Sequence, residues 1–119
     1  MAIEKASHLI RGQSAEEIAF KFLIDKGLRP VCRNFHCQAG ELDIVMRDQQ
    51  TLVIVEVRYR KNDDFGGPLA SITKKKQNRI ITATNHFIQQ NNIKGFIRFD
   101  VIAVSGPDKI NWIKNAFLS

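Results

Sequence analysis

Two acidic residues in the first half of the chain have the type and spacing that a divalent-metal site requires. Asp43 lies in the alternating segment 41–47, and Glu56 lies in the β-branched segment 52–60. Both segments are typical of β-strands, and the polar residues 48–51 between them predict a hairpin. A two-residue or a four-residue loop gives the same register, in which Asp43 is directly opposite Glu56 with Cβ atoms about 5 Å apart.

Two carboxylates at this distance repel each other, and like charges on directly opposite residues destabilise a sheet. A divalent cation between them would remove the repulsion. Mg²⁺ binds one or two carboxylates and keeps its other positions for water and phosphate. Such a metal can polarise a phosphodiester and lower the pKa of an attacking water. The pair therefore predicts a site for Mg²⁺ or Mn²⁺.

Two other interpretations of the hairpin stay open. Gln49-Gln50 is poor chemistry for a two-residue turn, and a loop of three or five residues would move the two acids out of register. Solvated carboxylates on an exposed strand face would then explain the pattern. The same register sets Arg58 opposite Glu41, so an ordinary cross-strand ion pair would explain this arginine.

The elements that would position the pair are two helices and five strands. Ser14 followed by Glu17 is a capping box that begins a helix, and Gly27 ends it. A second helix from about residue 72 to 90 separates the third and fourth strands, which implies a crossover between parallel neighbours. The predicted strands are 31–37, 41–47, 52–60, 96–104 and 109–113. The order α-β-β-β-α-β-β predicts an α/β fold with a mixed central sheet flanked by helices.

Alternation along the strands assigns their faces. On the second strand Leu42, Ile44 and Met46 are expected to share one face. On the first strand Cys32 and Cys37 have an odd separation, which would place them on opposite faces and prevent a disulfide. Reduced thiols are typical of the cytoplasm.

Composition and charge limit the classes of function. A chain of 119 residues predicts one domain, 1–119, with residues 1–12 as a flexible N-terminal segment. No apolar run approaches the ~20 residues of a membrane span, and the first residues lack the apolar region of a secretory signal. A cytoplasmic protein is therefore expected. The net charge of +6 and the pI near 9.6 favour nucleic acid over a membrane as partner.

The residues around the acidic pair resemble a known family. The segments Gly40-Glu41-Leu42-Asp43 and Val55-Glu56-Val57-Arg58-Tyr59-Arg60 are similar to the YraN-like family of small bacterial proteins, across nearly the whole chain. Further matching positions are Gly12, Glu16, Ala19, Gly27, Asn34, Gly67, Lys76-Gln77 and Arg98-Phe99-Asp100. The resemblance implies a restriction-endonuclease-like fold within the PD-(D/E)XK superfamily.

The superfamily implies specific metal ligands. An acid on the second core strand and an acid on the third bind Mg²⁺ there, together with the carbonyl of the residue after the second acid. The resemblance therefore implies Asp43, Glu56 and the Val57 carbonyl. A further acid on the first helix often completes the site, which implies Glu16. Helix geometry agrees, because Glu17 already has a local role in the capping box, although a solvated helix-start acid would also explain Glu16.

Arg58 departs from the superfamily pattern, which has lysine at this position. Lysine can lose a proton and act as a base, whereas arginine stays charged at any working pH. Arg58 could stabilise charge on a scissile phosphate but could not be the general base. Cleavage would then depend on a metal-activated water.

Basic residues supply the expected phosphate contacts. Lys76 is in register with the apolar face of the second helix, where it would either reach the acidic site or extend from the core edge to solvent. Lys74, Lys75 and Arg79 form a basic face that could follow a nucleic-acid backbone, and Arg60 adds to it from the third strand.

Three functions follow as alternatives. The first is a metal-dependent endonuclease that acts on DNA rather than RNA, with branched or damaged DNA as candidate substrates. The second is a catalytically inactive nucleic-acid-binding module, which Arg58 favours. The third is an interaction protein whose acidic pair is incidental. Related junction-cutting enzymes are dimers, so analogy of fold suggests a homodimer.

Overall fold

The computed structural model describes residues 15–60 and 72–118. The helices are α1 (Ala15–Asp25) and α2 (Lys74–Asn91). The strands are β1 (Arg29–Cys37), β2 (Gly40–Asp48), β3 (Thr51–Tyr59), β4 (Ile97–Gly106) and β5 (Lys109–Phe117). The predicted order α-β-β-β-α-β-β is confirmed. The predicted flexible segment 1–12 and Ser14 of the predicted capping box lie outside the described residues.

The strands form one mixed sheet in the order β1-β2-β3-β4-β5. Only β3 and β4 are parallel, and α2 makes the crossover between them, as the sequence predicts. Strand β5 continues to Phe117, four residues beyond its predicted end. Its alternation is irregular there because Asn115 has a φ of 55°, in the left-handed region.

The two helices pack on opposite faces of the sheet. Alternate residues of β3 point to opposite faces, and they divide between two core clusters. The α2-side cluster contains Leu52, Ile54, Ile80, Ala83 and Phe87. The α1-side cluster contains Val53, Val55, Ala15, Ala19 and Leu23. The predicted flanking of a mixed α/β sheet by helices is therefore confirmed.

The ends of α2 have side-chain and backbone caps. The hydroxyl of Thr73 accepts a hydrogen bond from the N–H of Lys76 at 3.1 Å, and this fixes the first turn. Asn92 ends the helix in the left-handed conformation, with a φ of 51°. Within the described ranges, neither helix is long and apolar enough to cross a membrane.

The alternation of β1 and β2 changes at Asn34 and Asp43. Arg33 pairs with Ile44 and Phe35 pairs with Leu42, but the pair between them, Asn34 with Asp43, is missing from the ladder. Asn34 has a φ of 56°, and asparagine adopts this left-handed region more readily than most residues. The irregularity is a break in the pairing without a shift of register, in the interior of the sheet and next to one of the predicted metal ligands.

This irregularity overturns two face assignments. Leu42 packs in the α2-side cluster whereas Ile44 and Met46 pack in the α1-side cluster, so the three do not share a face. Cys32 and Cys37 pack against the same α2-side cluster instead of lying on opposite faces. Strict alternation fails because the backbone of β1 leaves the extended region at Asn34, where the pairing of β1 with β2 is interrupted opposite Asp43. Both cysteines are free thiols.

Candidate metal centre

The β2–β3 hairpin has the register that brings the two acids face to face. Asp48 pairs with Thr51 across the two-residue loop Gln49-Gln50, and Ile44 pairs with Val55. Gln49 has a φ of 57°, which supplies a left-handed conformation of the kind that two-residue hairpin turns require. The registers with loops of three or five residues are therefore excluded.

The regular pairing of β2 with β3 ends at Ile44, the residue that directly follows Asp43 in the chain. The Oδ2 atom of Asp43 accepts a hydrogen bond from the N–H of Val57 at 2.9 Å. In a continuing antiparallel ladder this N–H would donate to a backbone carbonyl of β2. The Asp43 carboxyl group replaces that carbonyl, so it is held in the gap where the two strands separate.

Glu56 brings its carboxyl group to the same gap. Its residue is only 5% exposed, and its carboxyl group is close enough to that of Asp43 for the Asp43 charge to raise its pKa. Two cations surround it: Oε2 of Glu56 lies 3.1 Å from Nη2 of Arg58 and 3.6 Å from Nζ of Lys76. The structure therefore brings together two acids from β2 and β3 and two cations from β3 and α2.

Burial dominates the proton affinity of the acidic pair. Burial, with the neighbouring charge of Asp43 as the next cause, raises the pKa of Glu56 to about 7, although Lys76 and Arg58 act in the opposite direction. Burial also raises the pKa of Asp43, and the hydrogen bond from Val57 opposes this rise. A carboxyl group with a pKa of about 7 is half protonated at neutral pH. The pair thus retains a proton close to neutral pH.

The donor set fits a divalent cation. Mg²⁺ prefers carboxylate and carbonyl oxygens and binds through one or two carboxylates. The N–H and C=O of one strand residue point to the same neighbouring strand, so the Val57 carbonyl faces the side on which Asp43 lies. Asp43, Glu56 and the Val57 carbonyl would hold the metal, and the shared proton would leave when it binds.

Arg58 does not make the cross-strand ion pair that the register allowed. Glu41 pairs instead with Nδ1 of His36 at 3.1 Å, while Arg58 turns to Glu56, two residues away on the same face of β3. The reason is that β2 and β3 have separated at this point. Among the described residues, the buried Nε of Arg58 has no hydrogen-bond partner, so it can donate to a bound anion.

Glu16 has other local partners. Its Oε1 accepts a hydrogen bond from Nδ2 of Asn34 at 3.0 Å and lies 3.4 Å from Nη2 of Arg33. In the part of the chain that the structure describes, no three His, Cys, Asp or Glu side chains are grouped to hold a metal. Glu16 is therefore not grouped with Asp43 and Glu56, and its role as a third ligand stays a prediction.

The remaining basic residues have different surroundings. Lys76 reaches the acidic pair from the first turn of α2, one of the two outcomes that its register allowed. Lys74, Lys75 and Arg79 are exposed on α2. Arg60 is half-buried, and its Nη1 donates to the Tyr59 carbonyl at 3.1 Å. Contact of these four residues with nucleic acid stays a prediction.

Comparison with known proteins supplies a family. The model of "Uncharacterised protein family UPF0102" matches residues 15–104. A UPF0102 protein of Psychromonas ingrahamii is 49% identical over 108 residues, which cover 90% of this chain and 88% of the relative. Another, from Saccharophagus degradans, is 45% identical over 114 residues, 94% of this chain and 96% of the relative. This chain belongs to the UPF0102 family.

A UPF0102 protein of Legionella pneumophila is also 49% identical, over 110 residues that cover 90% of this chain and 93% of the relative. The resemblance to the YraN-like family is thus confirmed. The segment that matches the UPF0102 model contains both acids of the pair and both cations beside them.

Two residues of this UPF0102 chain shape the site without having been predicted to do so. Asn34 lies at the break in pairing opposite Asp43 and holds Glu16. Arg33 joins Glu16 to Glu17, with Nη1 3.0 Å from Oε2 of Glu17. The sequence contained one signal, since asparagine is depleted in strand interiors and tolerates the left-handed region.

Proposed function

We propose that the chain is a metal-dependent, nuclease-like domain that binds DNA and hydrolyses phosphodiester bonds at Asp43 and Glu56. The observation that supports this function is the position of the Asp43 carboxyl group, which the Val57 N–H holds in the gap between β2 and β3 beside the buried carboxyl group of Glu56. A Mg²⁺ or Mn²⁺ ion held there would polarise a phosphodiester and lower the pKa of a water.

Each residue of the pair has a separate task in this proposal. Asp43 is fixed by the Val57 N–H, so its carboxyl group is oriented before a ligand binds. Glu56, with a pKa of about 7, must release its proton before its carboxylate can hold a metal. The Val57 carbonyl supplies an uncharged oxygen to the same ligand set.

The two cations would bind the phosphate. Arg58 stays charged and cannot accept a proton, but its Nε is free among the described residues to donate to a phosphate oxygen. Lys76 reaches the pair from α2 and adds a second positive charge. The net charge of +6 would raise the rate of encounter with DNA.

The direct test is cleavage of linear, nicked and four-way-junction DNA in Mg²⁺ or Mn²⁺. Asp43→Asn and Glu56→Gln should each lower cleavage at least about a hundredfold, because each removes a metal ligand. Glu41→Gln is the matched control, since Glu41 is an exposed acid of the same hairpin that pairs with His36. Cleavage that survives Asp43→Asn would come from a contaminant and would overturn the assignment. An RNA duplex in parallel would reveal a preference opposite to the proposed one.

A second candidate function is a binding module without turnover. The close contact between Arg58 and Glu56 supports it, because a fixed guanidinium charge already compensates the acid that a metal would need. This module would bind DNA with a strong dependence on salt and would cut none of the three substrates in either metal. DNA binding without cleavage in wild-type protein would favour it over the nuclease.

A further inference from the structure

An open cleft of about 440 Å³ lies at the loop end of the β2–β3 hairpin. We call it the hairpin cleft. It is lined by the loop Gln49-Gln50, by Arg29 and Arg47 from β1 and β2, and by Lys94, Gly95 and Phe96 before β4. It lies at the opposite end of β3 from Glu56 and is separate from the acidic pair.

The hairpin cleft has an excess of positive charge. Arg29, Arg47 and Lys94 line it, and the lining residues that the structure describes include no carboxylate. Asp48, the acid beside the loop, is paired with Arg98 at 3.1 Å. Three cations gathered around one cleft attract an anion.

The two arginines are oriented but retain free donors. Nη2 of Arg29 donates to the Gln49 carbonyl at 3.4 Å, and Nη1 of Arg47 donates to the Gln50 carbonyl at 3.2 Å. Each guanidinium has five N–H donors in a planar fork. The loop therefore holds both groups in place while leaving donors for the oxygens of a phosphate.

Phe96 adds an aromatic surface to the same cleft. Its residue is 81% exposed, the largest exposure among the described exposed apolar residues. Its backbone is nevertheless fixed, because the Phe96 carbonyl accepts a hydrogen bond from the N–H of Leu52 at 2.9 Å. The preceding residue, Gly95, has a φ of 108°, which a side chain would not favour. A rigid backbone thus presents a large ring to solvent.

We propose that the hairpin cleft binds a single-stranded segment of nucleic acid, with the phosphates on Arg29, Arg47 and Lys94 and a base stacked on Phe96. A positive groove with an exposed aromatic ring is the combination that single-strand binders use. A duplex also offers phosphates, but its base faces are already stacked on each other. The exposed Phe96 ring therefore favours a single strand. This inference rests on the proposed function, because it names the form of nucleic acid that the domain takes.

The distance between the two sites suggests a mixed substrate. Glu56 is six residues from Gln50 along β3, which is about 20 Å at 3.3 Å per residue. Duplex DNA rises 3.4 Å per base pair, so this length is about six base pairs. A duplex at the acidic pair that opens into a single strand would contact both sites.

Fluorescence anisotropy tests the cleft independently of the metal site. The probe is a labelled oligothymidylate of about ten nucleotides, measured in EDTA beside a blunt duplex of equal length. Phe96→Ala should weaken single-strand binding at least about fivefold, which is the lower limit for loss of one stacked base, and should leave duplex binding unchanged. Ile24→Ala is the control, because Ile24 is an exposed apolar residue of α1.

The positive charges of the hairpin cleft are tested with a control that removes the same number of charges elsewhere. Arg29→Gln with Lys94→Gln should reduce the slope of log affinity against log salt by about 1.4, since each single-strand phosphate contact contributes about 0.7. Lys21→Gln with Lys26→Gln removes the same charge from exposed positions of α1 and the turn that follows it and should leave the slope nearly unchanged.

The outcomes separate this inference from the proposed function. If the wild type binds and each cleft variant behaves like its control, the cleft inference is overturned while DNA binding stands. If the wild type binds neither probe, both fail. If the cleft variants lose single-strand affinity and DNA is never cut, the cleft inference stands and the binding module replaces the nuclease.

Discussion

The carboxyl group of Asp43 is hydrogen-bonded to the N–H of Val57, the residue directly after Glu56 in the chain. This contact ties an acid of β2 to the backbone of β3 at the point where the ladder ends. Because the backbone fixes one acid beside the other, their repulsion cannot be relieved by turning Asp43 away. Burial, with the charge of Asp43 as the next cause, raises the pKa of Glu56 to about 7, and burial raises the pKa of Asp43 against the hydrogen bond from Val57.

The first prediction concerns stability against pH. The pKa of Glu56 is raised from 4.5 to about 7 in the folded chain, so its contribution to stability is full below 4.5 and is lost as the pH rises through 7. Asp43→Asn removes the neighbouring charge, which is the second cause of the raised pKa of Glu56. The free energy of unfolding of this variant relative to wild type should therefore rise by about 1 kcal/mol between pH 5 and pH 8. Urea unfolding measures it, and a pH-independent difference would contradict the prediction.

The second prediction concerns Lys76. Its charge lowers the pKa of Glu56, so Lys76→Gln should raise that pKa by about half a unit or more. Lys75→Gln is the matched control, since Lys75 is exposed and directly precedes Lys76 on α2. Titration of the Glu56 carboxyl carbon by NMR measures both, and equal midpoints in the two variants would show that Lys76 has no such influence.

The register of the acidic pair could be predicted because it depends on local features. The two-residue loop Gln49-Gln50 and the four-residue loop from Asp48 to Thr51 both keep Asp43 opposite Glu56, so the poor turn chemistry of Gln49-Gln50 did not matter. The end of α1 could also be predicted from a local feature. Gly27 has a φ of 94°, and the N–H of Leu28 donates to the Leu23 carbonyl at 3.1 Å, as in a glycine-ended helix.

Features that depend on several segments could not be predicted. The break in pairing at Asn34 changes the faces that alternation assigns to Leu42 and to the cysteines, and no sequence period marks it. Arg58 pairs with Glu56 and not with Glu41, because the pairing of β2 with β3 ends before these residues. At this point the side chain of Asp43 accepts the Val57 N–H. The hairpin cleft gathers residues from three segments that only the order of the strands brings together.

The third prediction concerns protons released on metal binding. Since a metal replaces the proton that the pair retains, affinity for Mg²⁺ should rise about tenfold per pH unit below 7 and level off above it. Calorimetry in two buffers of different ionisation enthalpy should detect the release of close to one proton per bound metal at pH 6 and of almost none at pH 8. Binding without proton release at pH 6 would show that the pair is not the ligand.

The fourth prediction concerns a second buried acid with a structural role. Asp100 is fully buried and accepts four hydrogen bonds of 2.9 Å, from Nε and Nη2 of Arg98, Nε1 of Trp112 and the N–H of Asn115. Asp100→Asn turns an amide donor towards these donors and leaves Arg98 with Asp48 as its one carboxylate partner among the described residues. It should cost about 3 kcal/mol or more in urea unfolding, whereas Asp108→Asn, at an exposed turn, should stay within about 0.5 kcal/mol. Similar values for the two variants would contradict this role.

The most direct test of the central claim is a Mn²⁺ titration of ¹⁵N-labelled protein, followed by paramagnetic broadening of the amide signals. Asp43, Glu56 and Val57 should broaden first, while Lys94 and Gly95 in the hairpin cleft stay sharp. Glu41→Gln should keep this pattern, and Asp43→Asn should abolish it. Signals of Asp43 and Glu56 that remain sharp at millimolar Mn²⁺, or broadening that Asp43→Asn leaves intact, would contradict a metal site at this pair.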